Sequence, residues 1–168
     1  MSRNRQGLEA YGILTKPIRQ ALGELGFVEL TLPQVAAIPS ILKGENVLLI
    51  APTGSGKTEA VLLPIFSKLI QQEAKKGVVV IYVTPLRALN RDLLKRLKFW
   101  TARLGILIEV RHGDTELKLR RRQAISPPQM LVTTPETLQA ILPGSRMRQH
   151  LTRVQYVVID EVHELASS

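Results

Sequence analysis

The chain has 168 residues, which suits one domain, and 45% of them are hydrophobic, which is enough for a core. Its net charge of +9 indicates either a polyanionic partner or merely a basic surface. The absence of cysteine excludes disulfides and thiolate metal sites. The apolar runs are too short to cross a bilayer, and no secretion signal is visible, so we expect a cytoplasmic protein without a membrane partner.

Helices are predicted from capping residues and from the spacing of apolar residues. Thr31 can cap a helix, with Pro33 tolerated in its first turn. Residues 59–71 are apolar almost all round and contain Pro64, which should kink that helix. Trp100 belongs to an apolar stripe, so we expect it in the core rather than stacked on a base. The stripe predicts one helix and consists of Leu86, Leu89, Leu93, Leu97, Trp100 and Leu104.

Short apolar runs predict buried strands between these helices. The runs cover residues 46–51, 78–84, 106–111, 130–134 and 154–160. Strands that are apolar throughout and alternate with helices predict an α/β fold, a parallel sheet with helices on both faces. The carboxyl ends of such strands meet at one edge of the sheet, where open α/β folds bind their ligands.

A glycine-rich turn, APTGSGKT, follows the first predicted strand and leads into a helix. Gly54 and Gly56 let the backbone bend so that successive N–H groups point at phosphate oxygens. Lys57 adds a positive charge for the phosphates of ATP, and the Thr58 hydroxyl can ligate Mg²⁺. The helix N-terminus also favours anions. The predicted nucleotide contacts in this turn are Thr53, Gly54, Ser55, Gly56, Lys57 and Thr58.

Two adjacent acids near the end of the chain can complete a site for ATP and Mg²⁺. Asp160 follows the last apolar run, at the position from which an acid holds the metal of a phosphate-loop enzyme. Glu161 is then placed to orient or deprotonate an attacking water. A helix-capping pair is the other interpretation, and the phosphate loop makes the metal site the favoured one. The predicted metal ligands are therefore Thr58 and Asp160.

Several segments resemble, in the correct order, the motifs of superfamily 2 DExH-box helicases. TGSGKT and DEVH resemble motifs I and II, and alanine is usual in this superfamily at the first position of the loop. TPLRALNRDL resembles motif Ia, RHGDT the glycine element after it, and TTPETL motif Ib. Gln34 stands where the glutamine of the Q-motif reads adenine. The sequences of these motifs most closely resemble those of the large helicase-related (Lhr) family, and the resemblance covers about residues 27–166.

The resemblance implies the N-terminal RecA-like lobe of an ATP-dependent helicase. Such a protein moves 3′ to 5′ on single-stranded DNA or RNA and unwinds DNA or hybrid duplexes. Lys57, Asp160 and Glu161 would be the catalytic residues, and His163 would couple the nucleotide state to the nucleic-acid face. Contacts to the phosphates of the strand would come from Arg87, Gly113 and Thr134. The last of these is also suited to cap a helix.

The resemblance further implies that residues 1–168 are one helicase ATP-binding domain, incomplete at its C-terminus. Family members close ATP between two RecA-like lobes. In related phosphoryl transfer, an arginine of the kind that the second lobe supplies raises the rate by about 10³–10⁵-fold. The strand before motif III would insert between the phosphate-loop strand and the Asp160 strand. Its absence therefore predicts an open slot in the middle of the sheet, about 5 Å wider than adjacent pairing allows.

We therefore expect an ATPase lobe that is inactive or weakly active alone. The alternative is a non-catalytic module that binds ATP and nucleic acid. A phosphate-loop kinase for small molecules is disfavoured, because it would not place DEVH so far behind Lys57 with motif-like segments between them.

Overall fold

The computed structural model describes residues 3–27, 29–72 and 77–165. The chain divides into two compact units, Met1–Ala74 and Lys75–Ser168. Within the described ranges, none of the helices has the length and apolar character that crossing a bilayer requires.

The first unit, as far as it is described, is helical. Its helices are α1 (Arg3–Gly12), α2 (Lys16–Glu24), α3 (Leu32–Lys43) and α4 (Lys57–Gln71). As predicted, Thr31 precedes α3, and its backbone N–H donates to Gln34 Oε1 at 3.0 Å. α4 continues through Pro64, packs against α3, and buries an apolar surface that includes Leu63 and Phe66.

The prediction of a buried strand over residues 46–51 is wrong. The segment has no regular structure, and Leu48 and Ile50 are 77% and 86% exposed. A central parallel strand requires a neighbour to pair its backbone N–H and C=O groups. No strand of the described chain pairs with this segment. Its apolar sequence alone therefore does not make it a strand.

The second unit is built on a parallel sheet, which confirms the predicted α/β fold class. Its strands are β1 (Val80–Val83), β2 (Ile108–Arg111), β3 (Met130–Thr133) and β4 (Tyr156–Ile159), in the order β2-β3-β1-β4. Each lies within a predicted run. The register pairs Val83 with Thr133 on one side and with Ile159 on the other. The carboxyl ends of these three strands therefore lie side by side.

A helix follows each strand of the second unit, and two helices follow β3. They are α5 (Arg91–Leu104), α6 (Leu117–Ile125), α7 (Pro135–Ile141), α8 (Ser145–Leu151) and α9 (Val162–Leu165). One cluster of buried side chains joins β1 and β3 to α7 and α8 and consists of Val78, Ile81, Val83, Leu131, Ile141 and Met147. Burial of such side chains is the main stabilising contribution to the unit.

The helix predicted from the leucine stripe begins later than expected. Residues Leu86–Ala88 form a short 3₁₀ turn, and Leu86 is 53% exposed. The side chain of Asn90 accepts a hydrogen bond from Leu93 N at 2.9 Å, which caps α5 and starts it at Arg91. The predicted core position of Trp100 is confirmed, since this residue is 2% exposed.

β4 lies at one edge of the sheet, with β1 as its neighbour. Its burial alternates, and Val157 and Ile159 are 59% and 51% exposed. A strand of the sheet centre would be covered on both faces, so β4 has the burial of an edge strand in this unit. The slot expected between the phosphate-loop strand and the Asp160 strand is not formed as predicted, because residues 46–51 form no strand of the described sheet.

Candidate functional site

The glycine-rich loop of the first unit adopts the bent backbone that its sequence predicts. Gly54 and Gly56 have φ angles of +78° and +87°, in the left-handed region that favours glycine. Lys57 begins α4, and its Nζ donates to the Ala51 carbonyl at 2.7 Å, which draws the two ends of the loop together. The Ser55 hydroxyl is buried and has no hydrogen-bond partner among the described residues.

This loop fits the phosphates of a nucleotide. A buried hydroxyl without a partner, an ammonium group and the N-terminus of the 15-residue helix α4 all favour an anion. Thr58 lies in the first turn of α4 and offers a hydroxyl oxygen, the type of ligand that Mg²⁺ prefers. The donor set is thus suited to a phosphate chain with its metal.

Gln34 connects the predicted Q-motif to the loop. The residue is 5% exposed, and both ends of its amide are engaged by backbone groups. Oε1 accepts from Thr31 N at 3.0 Å, and Nε2 donates to the Gly56 carbonyl at 3.3 Å. A Cβ atom at Gly56 would lie 2.6 Å from this Nε2. Gln34 therefore supports the loop directly, while its contact with adenine stays a prediction.

The two acids of the second unit follow β4 directly. Tyr82, which is 1% exposed, donates its hydroxyl to Asp160 Oδ2 at 2.6 Å, and Asp160 Oδ1 accepts from Glu161 N at 3.0 Å. Glu161 has a φ of +52°, the only positive value at a non-glycine residue in the described chain. Strained backbone of this kind is concentrated at functional sites. The Asp160 carboxylate is therefore held in a defined position at the end of the strand, and the strained backbone of Glu161 follows it.

His163 and Glu164 lie beside these acids. His163 Nδ1 is 3.5 Å from Glu161 Oε2. The donor atoms of Glu161, His163 and Glu164 lie within 4.8 Å of one another, as the ligands of a metal ion would. Thr58 and Asp160, the predicted metal ligands, belong to different units, so their joint binding of Mg²⁺ stays a prediction.

Arg87, a predicted nucleic-acid contact, is paired with an acid that sequence reasoning missed. Its Nε donates to Glu164 Oε2 at 2.5 Å, although the two residues are 77 apart in the chain. The hydrogen bond and the negative charge of Glu164 raise the pKa of Arg87. Arg87 is 74% exposed as a side chain, so it can also be reached by a phosphate from solvent.

Gly113 lies in a short loop at the end of β2. His112 N donates to Thr115 Oγ1 at 2.8 Å, and Thr115 N donates to the His112 carbonyl at 3.0 Å. Arg120 of α6 donates to the carbonyls of His112, Gly113 and Thr115. The arginine run 120–122 gave no signal that this one residue holds the loop. The loop is therefore closed and anchored from α6.

Thr134, the third predicted nucleic-acid contact, follows β3 and caps α7. Its Oγ1 accepts from Thr137 N at 3.4 Å. The neighbouring Thr133 hydroxyl donates to the Arg111 carbonyl at 2.8 Å, which ties the ends of β2 and β3 together. Gly113 and Thr134 thus follow adjacent strands at the same edge of the sheet, as the parallel topology predicts.

Comparison with known proteins places these motifs in a family context. Residues 31–168 match the family described as DEAD/DEAH box helicase. The chain is 41% identical over 150 residues to the ATP-dependent helicase Lhr-Core of Sulfolobus acidocaldarius, covering 82% of this chain and 17% of the relative. It is 35% identical over 175 residues to the Lhr-Core helicase of Methanocaldococcus jannaschii, covering 95% and 21%. The chain thus spans about a fifth of the length of these relatives.

Solved structures show the same similarity. The Mycobacterium smegmatis helicase Lhr bound to ssDNA and AMP-PNP superimposes with a TM-score of 0.82 at 34% identity, covering 95% of this chain and 22% of that one. The DEAD-box helicase Mss116 bound to ssRNA and UDP-BeF gives a TM-score of 0.82 at 29% identity, covering 94% and 33%. The fold of this chain is therefore that of a RecA-like helicase lobe.

Proposed function

The chain belongs to the DEAD/DEAH box helicase family, and from that membership we propose that it is the ATP-binding lobe of an ATP-dependent nucleic-acid translocase. The similarity to Lhr helicases confirms the resemblance drawn from the motifs. The direction of movement would be 3′ to 5′ on single-stranded DNA or RNA, with DNA or hybrid duplexes unwound. Residues 1–168 would form the ATP-binding domain, and a second RecA-like lobe would complete it.

The geometry of the glycine-rich loop is the observation that carries the proposal. Its backbone is already bent at Gly54 and Gly56, so binding a phosphate chain would require little ordering of the loop. Lys57 would contribute positive charge, and Thr53 and Ser55 would add polar groups around the phosphates. Gln34, which already supports the loop through the Gly56 carbonyl, would also contact the adenine ring.

Asp160 and Glu161 would perform the chemistry. Thr58 and Asp160 would hold Mg²⁺, which would supply positive charge to neutralise the phosphates. Tyr82 holds Asp160 by one oxygen, which fixes the direction of the carboxylate. Glu161 would accept a proton from the attacking water, a role that requires an acid held within hydrogen-bond reach of that water. His163, 3.5 Å from Glu161, would transmit the state of the site to the strand contacts.

Nucleic acid is the second proposed ligand. The net charge of +9 supports binding to a polyanion. Arg87, Gly113 and Thr134 would contact backbone phosphates, which position a strand without reading its bases. Two similar helicases have been solved with ssDNA and with ssRNA, and this chain would accept a single strand of either kind.

A non-catalytic module that binds ATP and single strands is the second candidate function. The irregular and exposed segment of residues 46–51 favours it, because this segment leads into the loop and lacks the strand pairing that would hold it firmly. The two candidates differ in turnover and agree on binding, so one set of assays separates them.

The test measures binding of a fluorescent ATP analogue and steady-state ATP hydrolysis, with and without single-stranded DNA or RNA. Lys57→Ala is compared with Lys43→Ala, which removes an exposed positive charge from the same unit. We expect Lys57→Ala to weaken nucleotide binding at least about tenfold, since a hydrogen bond to a charged group is worth about 1.5–3 kcal/mol. Lys43→Ala should bind as the unsubstituted chain does.

The outcomes separate the candidates. Nucleotide binding with turnover that single strands stimulate and Lys57→Ala abolishes supports a translocase lobe that works without its partner. Binding without such turnover supports the need for a second lobe, and restoration of turnover by adding that lobe distinguishes it from a non-catalytic module. If the unsubstituted chain binds no nucleotide, the proposal is refuted.

A further inference from the structure

One nitrogen atom of a cationic side chain at the carboxyl end of β2 has no hydrogen-bond partner in the part of the chain that the structure describes. Arg111 Nη1 is buried and forms no hydrogen bond within the described ranges of the chain. Burial lowers the pKa of Arg111, and the positive charge of Arg120 lowers it further. A guanidinium removed from water without an acceptor destabilises a fold. Arg111 is partly exposed as a residue, so an anion from solvent can relieve this cost.

The nearby charged groups do not neutralise Arg111. Glu109 lies two residues earlier on the same face of β2; its Oε1 pairs with Arg122, and its Oε2 is buried without a hydrogen-bond partner among the described residues. Asp114 is largely exposed, and its Oδ2 lies 3.8 Å from His112 Nδ1. Arg120 is occupied by the carbonyls of the loop after β2. Among the described residues, no carboxylate is therefore paired with Arg111.

The backbone position of Arg111 suggests which anion could balance this charge. Arg111 pairs in register with Thr133, whose hydroxyl bonds the Arg111 carbonyl. It directly precedes the loop that contains Gly113, and Thr134 follows its register partner. Both Gly113 and Thr134 are proposed contacts of backbone phosphates. The Arg111 backbone thus lies beside both proposed contacts, and arginine matches phosphate oxygens by its planar fork of donors.

We infer that Arg111 is a phosphate ligand on the path of the single strand, adding an ionic contact to those of Arg87, Gly113 and Thr134. This inference rests on the proposed function for its ligand, a nucleic-acid backbone. Arg120 acts beside it as a positioning residue, because it holds the loop closed through backbone carbonyls. Arg111 thus lowers the stability of the free lobe and contributes to its binding of single strands.

The test compares Arg111→Met with Arg121→Met, which removes an exposed charge from α6. Binding of labelled single-stranded DNA and RNA is measured by fluorescence anisotropy over a range of salt concentrations. We expect Arg111→Met to reduce the slope of log K against log salt by about 0.7, the value for one phosphate contact on a single strand. Arg121→Met should change the slope less.

Thermal unfolding of the same variants separates a ligand from a structural residue. Arg111→Met should unfold at the same temperature as the unsubstituted chain or higher, because the variant keeps much of the apolar stem and loses an unpaired cation. An arginine with a structural partner would lower the unfolding temperature when replaced. Unchanged salt slope in Arg111→Met, or a lower unfolding temperature with unchanged binding, overturns the inference.

A third measurement keeps this inference distinct from the proposed function. In a Lys57→Ala background, where the glycine-rich loop is disabled, inorganic phosphate should raise the unfolding temperature more with Arg111 than with Met at that position. If it does so but no single strand binds, the anion site stands and the proposed nucleic-acid function fails. If Arg87→Ala weakens strand binding and Arg111→Met does not, only the inference fails.

Discussion

Replacement of Gly56 by alanine tests whether Gln34 supports the phosphate loop. The new Cβ would lie 2.6 Å from Gln34 Nε2 and 3.1 Å from Thr31 Oγ1. The backbone at Gly56 has a φ of +87°, which adds strain whatever the space. The Gln34 side chain would have to move away, and its hydrogen bond to the Gly56 carbonyl would be lost.

Gly54 offers a matched control for the backbone term. Its φ is +78°, and a Cβ there would meet nothing within 4 Å. In both alanine variants the left-handed backbone conformation should lower the free energy of unfolding by about 1–2 kcal/mol. Gly56→Ala should lower the free energy of unfolding by about 0.5–1.5 kcal/mol more, because it also breaks a hydrogen bond. At about 2–4 °C for each kcal/mol in a chain of this size, it should unfold a few degrees below Gly54→Ala.

Thermal unfolding followed by circular dichroism measures this difference. In a Gln34→Ala background the collision with Nε2 is absent and only the 3.1 Å contact with Thr31 Oγ1 is left, so the difference between Gly56→Ala and Gly54→Ala should become much smaller. Equal unfolding temperatures for the two variants in the presence of Gln34 would contradict the proposed support. If the full difference in unfolding temperature persists after Gln34 is removed, its cause is some other contact of Gly56.

Three further predictions concern the second unit. Tyr82→Phe should lower the free energy of unfolding by about 1–2 kcal/mol, since Asp160 loses a hydrogen bond but is only partly buried; chemical denaturation checks this, and an unchanged midpoint would contradict it. Glu164→Gln should strengthen single-strand binding by no more than about fivefold, because it frees Arg87 from an exposed and therefore weak ion pair; anisotropy that shows weaker binding would refute the pairing. The fluorescence of Trp100, the only tryptophan, should not be quenched by single-stranded DNA because the ring is 2% exposed, and quenching would indicate stacking on a base.

Local sequence determined the phosphate loop and most of the strands. The loop depends on two glycines at positive φ and on a lysine that begins a helix, which are properties of adjacent residues. β1 and β3 are buried along their whole length, so their apolar runs identified them without knowledge of their neighbours. The capping of α3 by Thr31 and the burial of Trp100 were also readable from short-range pattern.

Tertiary structure decided which of these segments could pair and which charges could meet. Residues 46–51 have the composition of a buried strand and are exposed, because strand formation requires a partner that composition does not supply. The links of Tyr82 to Asp160 and of Arg87 to Glu164 join residues 78 and 77 positions apart. That Arg111 Nη1 has no hydrogen-bond partner among the described residues follows from its burial and from its neighbours in space. The sequence alone thus determined the chemistry of the motifs. Only the packed fold determined which distant side chains hydrogen-bond or pair with the residues of those motifs.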